Sequence, residues 1–349
     1  MNSWETFMKP KIFTLLGNNT TLNTTGGDKI NEIRFYTALS KHFEVYYNGQ
    51  LFDPYAIDYG IKDLPIQIPE DNYDVYYVRA NNRILYNCPR PKVAMGIPYS
   101  SWLYHHVDAV ITTTESWKQA ILNYNNSTYY RELVGDWYGN SEKIIVPKKV
   151  INIRQTIDSN FMEKIDANTL MRNRISFGLK PTFGFFGSLA MQIFPNLAIK
   201  ALQRMINNGY DINIIAAGKK YSNTIVPNKV KYLGYLPYES IPDYIQTCTC
   251  LIANEGVETE YLGSGKVLDA IAAGIPILSY RSAVREEQLG KDYLGFYSSE
   301  EEAYFIAKFI LENPFFRKKI VDQLKLRYEM FSTESQGDYL YKQFSDLII

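Results

Sequence analysis

Short apolar runs alternate along the whole chain with longer stretches whose apolar positions recur every three to four residues. Lys11–Gly17 (KIFTLLG) reads as a buried strand. A polar loop then reaches Gly26-Gly27, and Ile30, Ile33, Ala38 and Leu39 fall near one face of a helix predicted over about Asp28–His42. Phe43–Tyr47, Asp74–Val78, Val93–Ile97 and Asp108–Thr112 are further strand-length runs, the last leading into a helix at Glu115–Leu122. Lys143–Val146 and Val150–Ile153 close the first half. The second half repeats the rhythm more cleanly. Strands are predicted at Thr182–Phe186, Ile212–Ala216, Val230–Leu233, Cys250–Ala253 and Pro276–Ser279. Helices are predicted at Pro195–Asn208, Glu239–Gln246, Lys266–Ala273, Glu300–Glu312, Pro314–Phe331 and Ser335–Leu347. Such alternation marks α/β architecture with parallel sheets. Three of these strands run into a glycine, Gly187, Gly218 and Gly234, at the carboxyl ends where open parallel sheets bind ligands. A linker is expected near Asp158–Asn173.

Length fits this picture: 349 residues suit two α/β domains better than one core. Lys+Arg and Asp+Glu are both 37, so nothing in the charge balance calls for nucleic acid. The 29 tyrosines are as well explained by a bias of the source genome as by a sugar site. Cys88, Cys248 and Cys250 are few and odd in number, which points to reduced thiols in a cytoplasmic setting. With no other Cys or His near them in sequence, a metal site there is not expected. The first residues carry no signal-peptide pattern, and no stretch approaches the ~20 apolar residues of a membrane helix. Peripheral membrane contact stays open.

The segment Tyr261–Leu278 (YLGSGKVLDAIAAGIPIL) carries the chemistry. Gly263, Ser264 and Gly265 precede a short helix, with Ser264 in position to cap it. First-turn amides and the helix dipole then form a site suited to phosphate. Lys266 adds a mobile cation in the first turn, and Asp269, three residues on, shares its face. A carboxylate there can accept hydrogen bonds from both hydroxyls of a ribose. The alternative is an i,i+3 surface ion pair worth about 0.2–0.5 kcal/mol.

With the following AAGIPIL, the segment resembles the donor signature of GT-B glycosyltransferases, especially the retaining family-four (group 1) enzymes, in Lys266, Asp269, Ala272, Gly274 and Pro276. Other segments fall in the family's order: Gly26-Gly27 before the first helix, Asp108–Ser116, Lys143–Phe161, Phe183–Leu189, Val230–Pro237 and Phe331-Ser332 before the last helix. The resemblance implies two Rossmann-like domains facing each other across a cleft. They would comprise an acceptor-side domain at residues 1–158, a donor domain at 174–330, and a C-terminal helix at 331–349 crossing back to the first domain. It implies that Asp269 holds the ribose, that Lys266 and the amides around Gly263, Ser264 and Gly265 neutralise the diphosphate, and that Gly187 and Ser188 line the phosphates. Gly218, Gly234 and Tyr235 would lie near the base, with Gly26 and Gly27 approaching from the other domain.

The chain also departs from the pattern. Where many members have a glutamate eight positions before the ribose acid, Tyr261 stands here, and Glu258 and Glu260 are the nearby catalytic candidates. Ser188 takes the place of a usual arginine, and Gln192 lies where a lysine is expected. Lys266 therefore carries more of the phosphate charge, with Arg281 as a compensating candidate. The family's N-terminal histidine is not evident. His105, His106 and, as a catalytic candidate, Arg79 at the end of its strand remain, the last with a surface ion pair as its alternative. The expected reaction moves a sugar from a UDP- or GDP-sugar to a hydroxyl of a carbohydrate or lipid-linked acceptor. It would proceed with retention and without cofactor or metal, since no Asp-x-Asp motif occurs. A sugar-nucleotide epimerase of the same fold and a degenerate, non-catalytic binding protein remain as alternatives. The loop after the first strand lacks the Gly-x-Gly-x-x-Gly of a nicotinamide dehydrogenase.

Overall fold

In the computed structural model, residues 9–16, 21–22, 27–48, 50–51, 62–64, 73–79, 88–89, 91–95, 106–134, 143–158, 161–222, 224–256 and 262–348 are described. The chain divides into two units, Met1–Thr156 together with Thr333–Ile349, and Ile157–Ser332.

The first unit is built on strands β1 (Lys11–Leu16), β2 (Glu44–Asn48), β3 (Lys62–Leu64), β4 (Val75–Arg79), β5 (Lys92–Met95), β6 (Ala109–Thr112) and β7 (Val150–Asn152). They pair in parallel in the order β3-β2-β1-β4-β5-β6-β7. This is the doubly wound order, with the chain reversing direction between β1 and β4. Tyr76 and Tyr77 on β4 and Ala109–Ile111 on β6 are fully buried, which is why these strands read as continuous apolar runs without alternation. Helix α1 (Gly27–Ser40) lays Ile33, Ala38 and Leu39 onto the sheet. Tyr36, Tyr47 and Tyr77 fill the same core, so at these positions tyrosine serves as bulk. Helices α2 (Glu115–Asn123) and α3 (Thr128–Val134) follow β6. Thr114 caps α2 by accepting from the Trp117 amide.

The second unit repeats the topology. Strands β8 (Thr182–Phe186), β9 (Asn213–Ala217), β10 (Val230–Tyr232), β11 (Cys250–Ile252), β12 (Ile277–Tyr280) and β13 (Phe296–Tyr297) pair in parallel in the order β10-β9-β8-β11-β12-β13. Its helices are α4 (Ala167–Ser176), α5 (Asn196–Asn207), α6 (Ile241–Thr247), α7 (Gly265–Ala273), α8 (Ala283–Leu289), α9 (Glu300–Glu312) and α10 (Pro314–Phe331). The last helix, α11 (Thr333–Ile348), belongs to the first unit. There Leu340 and Phe344 are fully buried, and the Phe344 ring meets Phe43 edge-on at 5.9 Å.

Two of the segments assigned from sequence come out differently, and β3, β13, α3 and α8 were not anticipated. Residues 143–147 form no strand, because the Asn125 side-chain amide takes the Ile144 backbone instead, accepting from its N–H at 2.8 Å and donating to its carbonyl at 2.7 Å. The stretch read as a linker holds α4, capped by the Asp166 carboxylate. Met171 and Ile175 on that helix are exposed and Asn173 is its buried residue, so it lacks the apolar stripe that marks a helix in sequence.

Candidate active site

Strands β8, β9 and β10 all end in glycines with positive φ, Gly187 (+137°), Gly218 (+134°) and Gly234 (+80°). They are stitched together across the sheet: the Gly187 amide donates to Ala217 and the Gly218 amide to Gly234, each at 2.8 Å. A Cβ on Gly218 would overlap the Gly187 carbonyl, and one on Gly187 would come within 2.7 Å of Lys266 Nζ. The bare Cα of Gly187 is therefore what lets the Lys266 side chain cross the end of β8. From there its ammonium lies 5.4 Å from the Phe185 ring centroid, within cation–π range. Ser188, next to Gly187, is exposed. Tyr235, beyond Gly234, is exposed, and the Tyr232 hydroxyl donates to the Gly218 carbonyl at 2.8 Å.

Helix α7 supplies Lys266 and Asp269. Val267, Leu268 and Ile271 are buried, while Lys266 and Asp269 sit together on the half-buried side. Gly263 and Gly265 flank Ser264 in the turn that enters the helix. The Ser264 carbonyl receives the Val267 amide at 3.2 Å, whereas the Gly265 and Lys266 amides precede any intrahelical acceptor. This end of α7 thus combines amides, dipole and a lysine, a composition that receives phosphate oxygens.

Ser264 occupies the N-cap position but does not cap. Its side chain makes no hydrogen bond to the first turn. The hydroxyl instead donates to Asn254 Oδ1 at 3.2 Å. Gln288 holds the Ser264 backbone from both sides, accepting from its amide and donating to its carbonyl at 3.2 Å each. Behind these residues lies Arg285, 1% exposed, donating to Gln288 Oε1 at 2.7 Å and to Asn254 Oδ1 at 3.2 Å. Its Nε has no hydrogen-bond partner among the described residues. Burial lowers the guanidinium to about 10, against the opposing pull of Tyr297, so it is charged at neutral pH.

The neighbouring helix start is filled by the protein itself. Glu255, just past β11, accepts the Leu197 and Ala198 amides of α5 at 3.0 and 3.1 Å, and the Tyr297 hydroxyl at 2.6 Å. Burial and then Glu255 raise the Tyr297 hydroxyl well above the usual tyrosine value. Sequence reasoning missed Asn254, Glu255, Arg285 and Gln288. Their signal was a pair of polar residues just after a buried strand and a cation on a short helix, a pattern that solvated surface shares.

Arg79 is engaged by Glu32 of α1 at 3.2 Å, and both are largely buried, so the pair is internal and not on the surface. Arg281 pairs with Glu286 at 2.6 Å. Gly27 is the first residue of α1. Gly26, Glu258, Glu260 and Tyr261 lie outside the described residues.

Residues 168–320 match the family model for glycosyl transferases group 1. No curated protein matches the sequence. Among solved structures the chain is similar to HepE of Anabaena in complex with UDP and glucose, at TM-score 0.68 and 14% identity over 97% of this chain and 100% of that one. It is also similar to the α,α-trehalose-phosphate synthase (UDP-forming) of Burkholderia xenovorans in complex with glucose-6-phosphate, at TM-score 0.66 and 7% identity over 96% and 100% of the two chains. The sucrose-phosphate synthase of Thermosynechococcus elongatus gives TM-score 0.64 and 9% identity over 97% and 99%. These likenesses show the fold.

Proposed function

We propose that this glycosyltransferase, whose group 1 domain spans residues 168–320 within a GT-B fold, takes its sugar from a uridine diphosphate donor held at the start of α7. The sugar passes to a hydroxyl of a carbohydrate or lipid-linked acceptor. The acceptor oxygen forms the new bond to the anomeric carbon, the bond to the β-phosphate breaks, UDP departs, and the acceptor proton goes to a base. The group 1 resemblance supports retention of configuration.

One observation carries this reading: Lys266 crosses the bare Gly187 to the end of β8 at the point where the first-turn amides of α7 begin. Developing charge on a leaving diphosphate is stabilised there by a fixed dipole and a cation, and we propose that the reaction needs no metal. Asp269, one turn deeper, serves the ribose. Gly234 and Tyr235 serve the base. UDP in the HepE complex and UDP formation by the trehalose-phosphate synthase favour uridine over guanosine. Three free, buried cysteines fit a cytoplasmic setting, and no helix among the described residues is long and apolar enough to cross a membrane.

Calorimetry with UDP, GDP and uridine in the presence of a chelator tests the assignment. Lys266→Ala is expected to weaken UDP by roughly 10- to 150-fold, from about 1.5–3 kcal/mol for a charged hydrogen bond, and to spare uridine. Asp269→Ala is expected to weaken both. UDP binding that needs a divalent cation would remove the metal-free step. Unchanged binding in both variants would remove the site.

A further inference from the structure

The residues behind the start of α7 form a directed chain of hydrogen bonds that ends on one cation. A serine with the backbone angles of Ser264, φ −116° and ψ 123°, ordinarily turns its oxygen onto the first-turn amides. Here it does not. Arg285 has donors and no acceptor, so the groups facing it must be oxygens. That requirement fixes the orientation of two side-chain amides: Asn254 presents Oδ1 and Gln288 presents Oε1. With Oδ1 of Asn254 facing it, the Ser264 hydroxyl is the donor in that bond and is held away from the helix. With Oε1 of Gln288 fixed, its Nε2 takes the Ser264 carbonyl and the turn is clamped.

The contrast with α5 is informative. That helix begins against the Glu255 carboxylate, so its amides are already satisfied by a charge from the protein. At α7 the side chain placed to do the same is held elsewhere, on Asn254, which also accepts from the buried guanidinium of Arg285. Arg285 forms no ion pair with another described residue, and burial makes its charge costly, a cost that an approaching anion would reduce.

We propose that Arg285 is a positioning residue that reserves the start of α7 for the donor diphosphate. Through Asn254 and Gln288 it keeps Ser264 from capping its own helix, and its charge favours an anion there. The proposal rests on the donor-site reading above.

The test is calorimetry of UDP, UMP and uridine with the wild type, Arg285→Met and Arg285→Lys, below the melting temperature of each. A residue that only supports the fold would weaken all three ligands alike. The proposal expects a loss graded by ligand charge. Arg285→Met should weaken UDP at least tenfold, UMP less, and uridine by less than about twofold. Arg285→Lys restores the charge but cannot reach both amides, and should leave UDP at least about threefold weaker. Wild-type affinity for UDP in Arg285→Met, or equal losses for UDP and uridine, would overturn the proposal. Should Arg285→Met not fold, Gln288→Leu and Asn254→Leu replace it and must show the same grading by charge. Wild-type protein that binds neither UDP nor UMP defeats the donor-site reading and this proposal together. That result is distinct from one in which the wild type binds and the substitutions are silent.

Discussion

Replacing Gly187 with alanine separates two roles of one residue. The new Cβ meets a backbone penalty, because φ of +137° is outside the range that side chains tolerate, at a cost of about 1–3 kcal/mol. It also overlaps the far end of the Lys266 side chain. That end is flexible, so it moves aside at little cost to folding, and the steric part of the change falls on where the ammonium sits. Gly209 supplies the control. Its φ is +91°, and a Cβ there meets no atom within 4 Å. Gly187→Ala and Gly209→Ala are therefore expected to lose similar stability, about 1–3 kcal/mol by urea unfolding. In nucleotide binding they should differ. Gly209→Ala binds UDP as the wild type does, whereas Gly187→Ala weakens it by about tenfold or more, the scale of one charged hydrogen bond. In a Lys266→Ala background the Gly187→Ala effect on binding should vanish, leaving the stability loss intact. A binding loss of undiminished size in that background would refute the view that the glycine is there for the lysine.

Glu255→Gln removes the charge that satisfies two amides of α5 and should lower stability by about 1–3 kcal/mol in urea unfolding, with UDP affinity changed far less than by Lys266→Ala. Phe344→Ala opens a cavity against Phe43 in the first unit and should cost about 3–5 kcal/mol, read as an earlier melting transition. Lys41, just past α1, holds the Glu334 carboxyl of α11 below its usual value by a hydrogen bond. A depressed folded value contributes stability above the ordinary glutamate range and loses it as pH falls through the depressed value. The difference in melting temperature between wild type and Glu334→Gln should thus be present at pH 7 and disappear on acidification.

The two sheets were legible in sequence because their strands are buried on both faces, as at Thr182–Phe186, where every residue is covered. Helices Glu300–Glu312 and Pro314–Phe331 were legible to the residue because Ser299 and Asn313 cap them and a proline opens the second. The glycine strand ends were legible for a related reason: few other residues take positive φ where a sheet opens onto a ligand site. Helix Ala167–Ser176 was not, since what holds it is a cap and polar contacts, such as the Asp166 amide on Asp243, and not an apolar face. Ser264 was read correctly as the N-cap residue, but its hydroxyl does not bond the first turn as that position suggests. Local sequence shows what a serine can reach in its own turn; it does not show Asn254 and Arg285 arriving from two other elements to compete for it.

The return of α11 to the first unit bears on how the protein is made. Residues up to Thr156 leave the ribosome long before Leu340 and Phe344, which complete their interior, whereas the stretch Ile157–Ser332 has all of its own parts as soon as it is synthesised. The later unit can thus mature first, while the earlier one waits with an uncovered apolar flank for α11. A nascent chain stalled before α11 is synthesised would expose the first unit, not the second, to chaperones and proteases.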